Sequence, residues 1–257
     1  MPKKNIKYLV GDIGNTSTKI SILNKNFNII NSFNIDSKKL YKNKNIKSIF
    51  NKILVKNLNN KILFSSVVPQ IYKKLKYSLR KKGLKSYEIK ELKINKIIKL
   101  NVKSFKQVGS DRIVNAIGSY NTYKTNCLVI DFGTATTFDV VKKPGIYDGG
   151  VIAPGVKLSI ISLNHSAALL PMLKLKSKAK SYGKNTKEAL NAGFLWGYKG
   201  LINNIIKKIT STSKIKYKVI LTGGYSKLFK KHINKKSTIN NNITMKGIIK
   251  VYKHLII

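Results

Sequence analysis

Ile6, Tyr8 and Val10 alternate with polar or small residues, the period-two pattern of a strand. Ile20, Ile22 and Leu23 take the pattern up again after a polar interval, and Phe27 to Ile35 predicts a third strand. The period then lengthens, because Ile46, Ile49, Phe50, Ile53 and Leu54 share one helical face. Lys61 to Ser66 reads as a short buried strand, and Pro69 opens a helix that carries Ile71, Leu75 and Leu79 and stops at Gly83. Tyr87 to Leu92 predicts a fifth strand. The first half thus reads β-β-β-α-β-α-β, and helices between strands imply a partly parallel sheet with covered faces. Residues 93–108 carry little pattern and read as a connecting segment.

Ser110 has the side chain of an N-cap, and Ile113, Ala116, Ile117 and Tyr120 make the buried stripe of the helix it would start. Strands are predicted at Leu128 to Asp131, Thr137 to Val141 and Tyr147 to Ala153. Pro154 and Gly155 start a helix through Leu158, Ile161 and Ser162, and residues 174–182 read as a mobile loop rich in lysine and serine. Thr186 is the expected N-cap of a long helix. Ala189, Ala192, Gly193, Trp196, Gly197 and Gly200 give it a face of mostly small residues, suited to a dimer or domain interface. Val219 to Gly224 reads as a strand ending in two glycines, a candidate nucleotide contact, and Ile243 to Ile257 is apolar enough to pack.

Composition changes the picture in three ways. The 257 residues suffice for one large or two small domains with proper cores, and no apolar run is long enough for a membrane span. Met1 to Asn5 lacks an apolar signal core, and the single cysteine, Cys127, excludes an intramolecular disulfide, so the expected location is cytoplasmic and the thiol is expected to be packed. The net charge is +42, yet arginine occurs only at Arg80 and Arg112, and the lysines are spread along the whole chain. Nucleic-acid readers favour arginine's planar fork, so no specific nucleic-acid partner is expected, although anionic substrates would be steered well. The nine acids become the informative minority. His165, His232 and His254 are scattered and not at metal-ligand spacing.

Chemistry concentrates where two strands meet. Asp12-Ile13-Gly14-Asn15-Thr16-Ser17-Thr18 puts a carboxylate, a glycine, an amide and three hydroxyls at a hairpin tip. Successive N–H groups and hydroxyls there can hold phosphate oxygens, and Asp12 can face a hydrated cation. Asp131-Phe132-Gly133-Thr134-Ala135-Thr136-Thr137 repeats the design. A doubled strand–Asp-x-Gly–hydroxyl–strand unit suggests a duplicated fold, with halves facing across a cleft and a phosphate loop on each wall. Asp111 and Arg112, in a first helical turn, read either as an ordinary cap or as a general base beside an anion-holding arginine. No Gly-x-x-x-x-Gly-Lys-Ser/Thr loop occurs.

These stretches, together with Ser65 to Pro69, Gly149 to Gly155, Ser166 to Pro171, Gly183 to Thr186 and Thr222 to Gly224, occur in the order seen in type III pantothenate kinases, which the chain resembles from Asp12 to Gly224. The resemblance implies an α/β, duplicated ribonuclease H-like (actin-like ATPase) fold, with subdomains 1–125 and 126–257 forming two mixed-sheet halves that flank a cleft. It implies ATP binding at Asp12, Ile13, Gly14, Asn15, Thr16, Ser17, Thr18, Lys19 and Thr134, with Mg2+, and a monovalent cation, K+ or NH4+, at Asp131. Gly109, Ser110, Asp111 and Arg112 match the pantothenate-binding segment, with Asp111 the proton acceptor. Thr186 matches a substrate contact reached across a homodimer. The implied reaction phosphorylates pantothenate to 4′-phosphopantothenate, opening coenzyme A synthesis. The family's usual tyrosine, seven residues before Gly109, is Val102 here, and its usual proline is Phe105. Two other readings are a non-catalytic, transcription-linked accessory protein that binds polyanions, and a kinase of a related small molecule.

Overall fold

The computed structural model describes residues 6–257; the Met1 to Asn5 stretch lies outside them. Alternation at the start of the chain becomes β1 (Lys7–Ile13) and β2 (Ser17–Leu23), an antiparallel hairpin extended by β3 (Ile29–Asp36). The helical stripe at 46–54 becomes α1 (Asn43–Ile53), which buries Ile46, Phe50 and Ile53. β4 (Leu58–Ser66) returns parallel to β1, and α2 (Pro69–Arg80) follows with Pro69 in its first turn. β5 (Lys85–Glu88) closes the sheet in the order β3-β2-β1-β4-β5. Leu9, Ile20, Phe50, Ile62, Phe64 and Leu75 form its core, each fully buried, and burying one such side chain stabilises by about 1.5–3 kcal/mol.

β5 is shorter than its pattern predicted. Ile89–Glu91 turns as a 3-10 helix, because Glu88 and Glu91 close a capping box there. The connector then contains β6 (Lys99–Leu100), and α3 (Ser110–Tyr123) begins at Ser110 itself. Ser110 is therefore the first helical residue and not its cap; the Ile113 N–H reaches back to the Gly109 carbonyl at 3.2 Å.

The second half repeats the plan. β7 (Cys127–Phe132) and β8 (Ala135–Lys142) form an antiparallel hairpin, and β9 (Ile146–Pro154) lies beside β8. α4 (Val156–Ser166) and the long α5 (Thr186–Ser213) lead to β10 (Lys218–Gly223), parallel to β7. After the single turn α6 (Ser226–Phe229), β11 (Ser237–Ile239) pairs parallel with β10, and α7 (Ile243–Leu255) ends the chain. The order β9-β8-β7-β10-β11 reproduces β3-β2-β1-β4-β5, with β6 added as a sixth strand parallel to β9. Leu128, Ile130, Phe138, Ile202 and Phe229 centre the second core, and Cys127 is a buried thiol, as expected.

Close packing divides the chain into two units. One comprises residues 1–122, 145–147 and 242–257; the other comprises 123–144 and 148–241. The C-terminal helix thus groups with the first unit. Glycine explains how it packs there. A β-carbon at Gly118 of α3 would strike the Ile243 carbonyl, and one at Gly247 of α7 would strike the Val114 carbonyl. The Thr244 hydroxyl also donates to Asn115 Oδ1 at 2.7 Å. No helix among the described residues is long and apolar enough to cross a membrane.

Candidate active site

In the first unit the β1–β2 hairpin carries the first acidic loop. Asp12 pairs with Lys19 across it and with Ser65 on β4. The Gly14 N–H donates to the Ser17 carbonyl at 3.1 Å, which closes the turn. Ser37 braces it from behind: its hydroxyl donates to the Gly14 carbonyl at 2.6 Å, and its N–H donates to the Thr16 carbonyl at 3.1 Å. Asn15, Thr16 and Ser17 are left exposed. Ile13 and Thr18 are fully buried, and the Thr18 hydroxyl pairs with that of Ser37 at 2.9 Å. Neither side chain is open to a ligand. The Ser65 hydroxyl, beside Asp12 in register, is buried and has no hydrogen-bond partner.

The same unit holds Gly109 to Arg112. Asp111 Oδ1 accepts the Arg112 N–H at 2.8 Å. A β-carbon at residue 109 would collide with that same Oδ1, so glycine is needed for the carboxylate to lie where it does. Burial raises the Asp111 pKa above the ordinary carboxylate range; the Arg112 N–H and the charges of Arg112 and Lys90 act against it. The Arg112 guanidinium lies 5.9 Å from the ring centre of Tyr147, which is 1% exposed. Such a contact holds a cation over a ring face. The Ser110 hydroxyl, expected at the helix cap, instead donates to Glu88 Oε1 at 2.5 Å.

Asp131, Thr134 and Thr186 lie in the second unit. Asp131 is the penultimate residue of its central strand, opposite Thr137 on β8 and Thr222 on β10. Gly133 N–H closes the turn onto the Ala135 carbonyl at 3.1 Å, and Thr134 is exposed at its tip. Two glycines of this unit lie tight against protein backbone or side chain. A β-carbon at Gly155 would strike the Thr134 carbonyl, and one at Gly223 would lie 2.7 Å from Asp131 Oδ1. Gly224 faces open space.

Thr186 is the first residue of α5, and Asn185 is its cap, accepting the Glu188 N–H at 3.0 Å. The expected cap was thus one residue off: both side chains suit the role, and the turn chose the amide. The 174–182 segment is pinned rather than loose, since Asn191 accepts the Lys176 N–H at 2.7 Å and donates to the Lys178 carbonyl at 3.0 Å. Between that segment and the start of α5 lies a cavity of about 550 Å³ lined by Met172, Lys174, Lys178, Tyr182 and Lys187 among others. The glycines of α5 face open space, because β-carbons at Gly193, Gly197 and Gly200 would meet nothing within 4 Å, while Ala192 is buried. Trp196 beside them is 45% exposed. The close helix crossing lies elsewhere, at Gly118 and Gly247.

Glu88, Tyr147, Gly118 and Gly247 were not singled out by sequence patterns for these parts. A Glu-x-x-Glu spacing at 88 and 91, in a chain with nine acids, was the available signal for the first.

A chain with two such sheets in the same strand order, each with an Asp-x-Gly turn on its central hairpin, has the ribonuclease H-like, actin-like fold of sugar kinases. A Sinorhizobium meliloti protein described as a 2-dehydro-3-deoxygalactonokinase matches with a TM-score of 0.57 at 8% identity, over 96% of this chain and 98% of that one. A Campylobacter jejuni protein described as a Baf family transcriptional activator matches with a TM-score of 0.61 at 18% identity, over 95% and 97%. Within that class, the family model for type III pantothenate kinases matches residues 8–208. The type III pantothenate kinase of Pelagibacter ubique is 46% identical over 243 residues, 94% of this chain and 97% of the relative. The chain belongs to the type III pantothenate kinase family, and it is a kinase. Kinases of this kind use ATP and a divalent metal.

Proposed function

We propose that the chain transfers the terminal phosphoryl group of ATP to the 4′-hydroxyl of pantothenate, the first step of coenzyme A synthesis, with Asp111 accepting the hydroxyl proton. The observation that carries this is the Asp111 carboxylate. It stands in the first turn of α3, is held by the Arg112 N–H, and is made more basic by burial. A general base works best when its pKa lies near the working pH and a lone pair points at the acceptor.

The residues fit ATP and its metal. The turn itself requires Gly14, since a β-carbon there would lie 2.9 Å from the Ser17 carbonyl. Exposed Asn15, Thr16 and Ser17 would hold phosphate oxygens, with Lys19 beside them, and Asp12 would face the Mg2+. Bound ATP–Mg2+ supplies the phosphoryl group and the charge that neutralises it in transfer. In the second unit, Thr134 would bind ATP and Asp131 a monovalent cation, K+ or NH4+. Gly109, Ser110, Arg112 and Thr186 would bind pantothenate, Arg112 pairing with its carboxylate. Because the Ser110 hydroxyl is engaged by Glu88, its contact would run through the backbone.

The working form is a homodimer in this reading. The open glycines of α5 and the exposed Trp196, Leu158 and Leu163 support it, since large apolar side chains left in water suit an interface.

The test is ADP release measured with Mg2+ and K+, with and without pantothenate. Release that depends on pantothenate is expected; release indifferent to it overturns the assignment. A panel of small hydroxy acids in the same assay shows whether Val102 in place of tyrosine has redirected the site. The net charge of +42 favours one second reading, a polyanion binder without catalysis. That reading requires salt-sensitive RNA binding together with no pantothenate-dependent turnover.

A further inference from the structure

Glu88 is one of nine acids in a chain of 51 lysines and arginines, and phosphoryl transfer as read above makes no use of it. It is 7% exposed. A carboxylate buried to that degree is costly unless donors surround it, and three do. Oε1 accepts the Ser66 N–H at 3.2 Å and the Ser110 hydroxyl at 2.5 Å, while Oε2 accepts the Lys90 N–H at 2.7 Å. The donors come from three segments: the end of β4, the 3-10 turn after β5, and the first residue of α3.

That turn is itself held. Glu91 Oε2 accepts the Glu88 N–H at 3.2 Å and the Tyr72 hydroxyl at 3.3 Å, and Glu91 Oε1 bridges to Lys76 at 2.7 Å. Glu88 therefore presents its carboxylate from a fixed backbone. On one side it grips Ser66, which pairs with Ile13 next to Asp12. On the other it grips Ser110, which is fully buried and directly precedes Asp111. The helix start is thus pinned by a side chain that leads away from the helix, and the direction of the next residue follows from that pin.

We propose that Glu88 is a positioning residue for Asp111: through the Ser110 hydroxyl it sets where the Asp111 carboxylate points. The inference rests on Asp111 being the base. A displacement of about 1 Å at a reacting group can cost about 100-fold in rate, so a second-hand anchor can matter as much as a contact.

The experiment measures kcat, the KM for each substrate and the pH dependence of kcat for Ser110→Ala, Ser110→Thr, Glu88→Gln and Asp111→Asn in the full chain. Circular dichroism and ATP binding report the folded fraction. Ser110→Ala and Glu88→Gln are expected to lower kcat about 10- to 100-fold, with the KM for ATP within about twofold and the acid limb of the profile moved. Ser110→Thr keeps a hydroxyl and is expected to recover most of the rate. Ser110→Ala added to Glu88→Gln is expected to cost little more, because the two act through one bond.

Ser110→Ala deletes a single hydroxyl, so the test stands even where Glu88 variants fold poorly. Wild-type kcat and an unmoved acid limb in Ser110→Ala overturn the inference, as does a loss that only tracks the folded fraction. Asp111→Asn separates the two claims. If it keeps wild-type turnover, the base assignment falls; if it is inactive while Ser110→Ala and Glu88→Gln behave as wild type, the positioning role alone falls.

Discussion

In the first sheet Asp12 stands opposite Ser65 on the next parallel strand; in the second, Asp131 stands opposite Thr222 on the equivalent strand. Both aspartates lie at the end of a central hairpin, and both turns close by a glycine N–H donating to a carbonyl at 3.1 Å. The helices that follow the outer strands differ. α3 starts Ser110-Asp111-Arg112, whereas α7, after β11, starts Ile243-Thr244-Met245 with no acid in its first turn. The outer strand β5 ends in buried Glu88, while β11 ends in Ile239. Both units keep an Asp-x-Gly turn, but of these two helices α3 alone has an acid in its first turn. In the reaction proposed above, the asymmetry has a use: the single acceptor hydroxyl needs one proton removed.

The largest effect expected from breaking this contrast is at Asp111. Asp111→Asn should lower kcat by about 100- to 10,000-fold with ATP binding retained, by pantothenate-dependent ADP release and nucleotide titration. Nothing at the start of α7 can substitute for it.

The next effect tests what the two helices share. At Gly118 or Gly247 a valine would drive into the carbonyl of the other helix, and each is expected to destabilise by about 1–3 kcal/mol in urea unfolding. Unchanged stability would mean the crossing is looser than described.

A pH series sharpens the contrast between the acids. Burial raises the pKa of both Glu88 and Asp111, although hydrogen bonds oppose it in each case. An acid with a raised pKa holds its proton more tightly folded than unfolded. Its contribution to stability is therefore present below the ordinary carboxylate pKa and is lost as pH rises through the raised, folded value. Glu88→Gln should remove its share of that loss, by thermal unfolding across pH. Activity runs the other way: kcat should fall as pH drops through the raised pKa of Asp111, because a protonated carboxyl cannot take the hydroxyl proton.

The smallest effect lies on α5. Gly197→Ala adds a methyl group that meets nothing within 4 Å and should stabilise the protomer by about 0.5–1 kcal/mol. Light scattering on the same variant checks the dimer, and a shift toward monomer would identify this face as the contact.

Much of the fold was legible. Period-two and helical runs located β1, β2, β4, β7, β8, β10, α1 and α2 to within a few residues, and the repeated Asp-x-Gly turn pointed to the duplication. The misses are instructive. Tyr87 to Leu92 looked like a strand because its apolar residues fit one, but two glutamates three apart turned it after Glu88. Ser110 looked like a cap because serine usually is one, but a buried carboxylate from another strand took its hydroxyl. No local pattern marked Gly118 and Gly247, the glycines that a neighbouring helix crowds. Each miss is a competition between a local preference and a distant partner.

What the sequence determines by itself are quantities carried within a few residues: strand and helix periods, the small polar composition of both turns, the acid at the start of α3, and the ordered motifs that mark the family. What only the tertiary structure decided is which group meets which across long separations, Glu88 with Ser110 and Gly118 with α7. The reason is physical. Periodicity is set by bonds along the chain, but the partner of a hydroxyl or the space beside a glycine exists only once the sheets have brought remote backbone together.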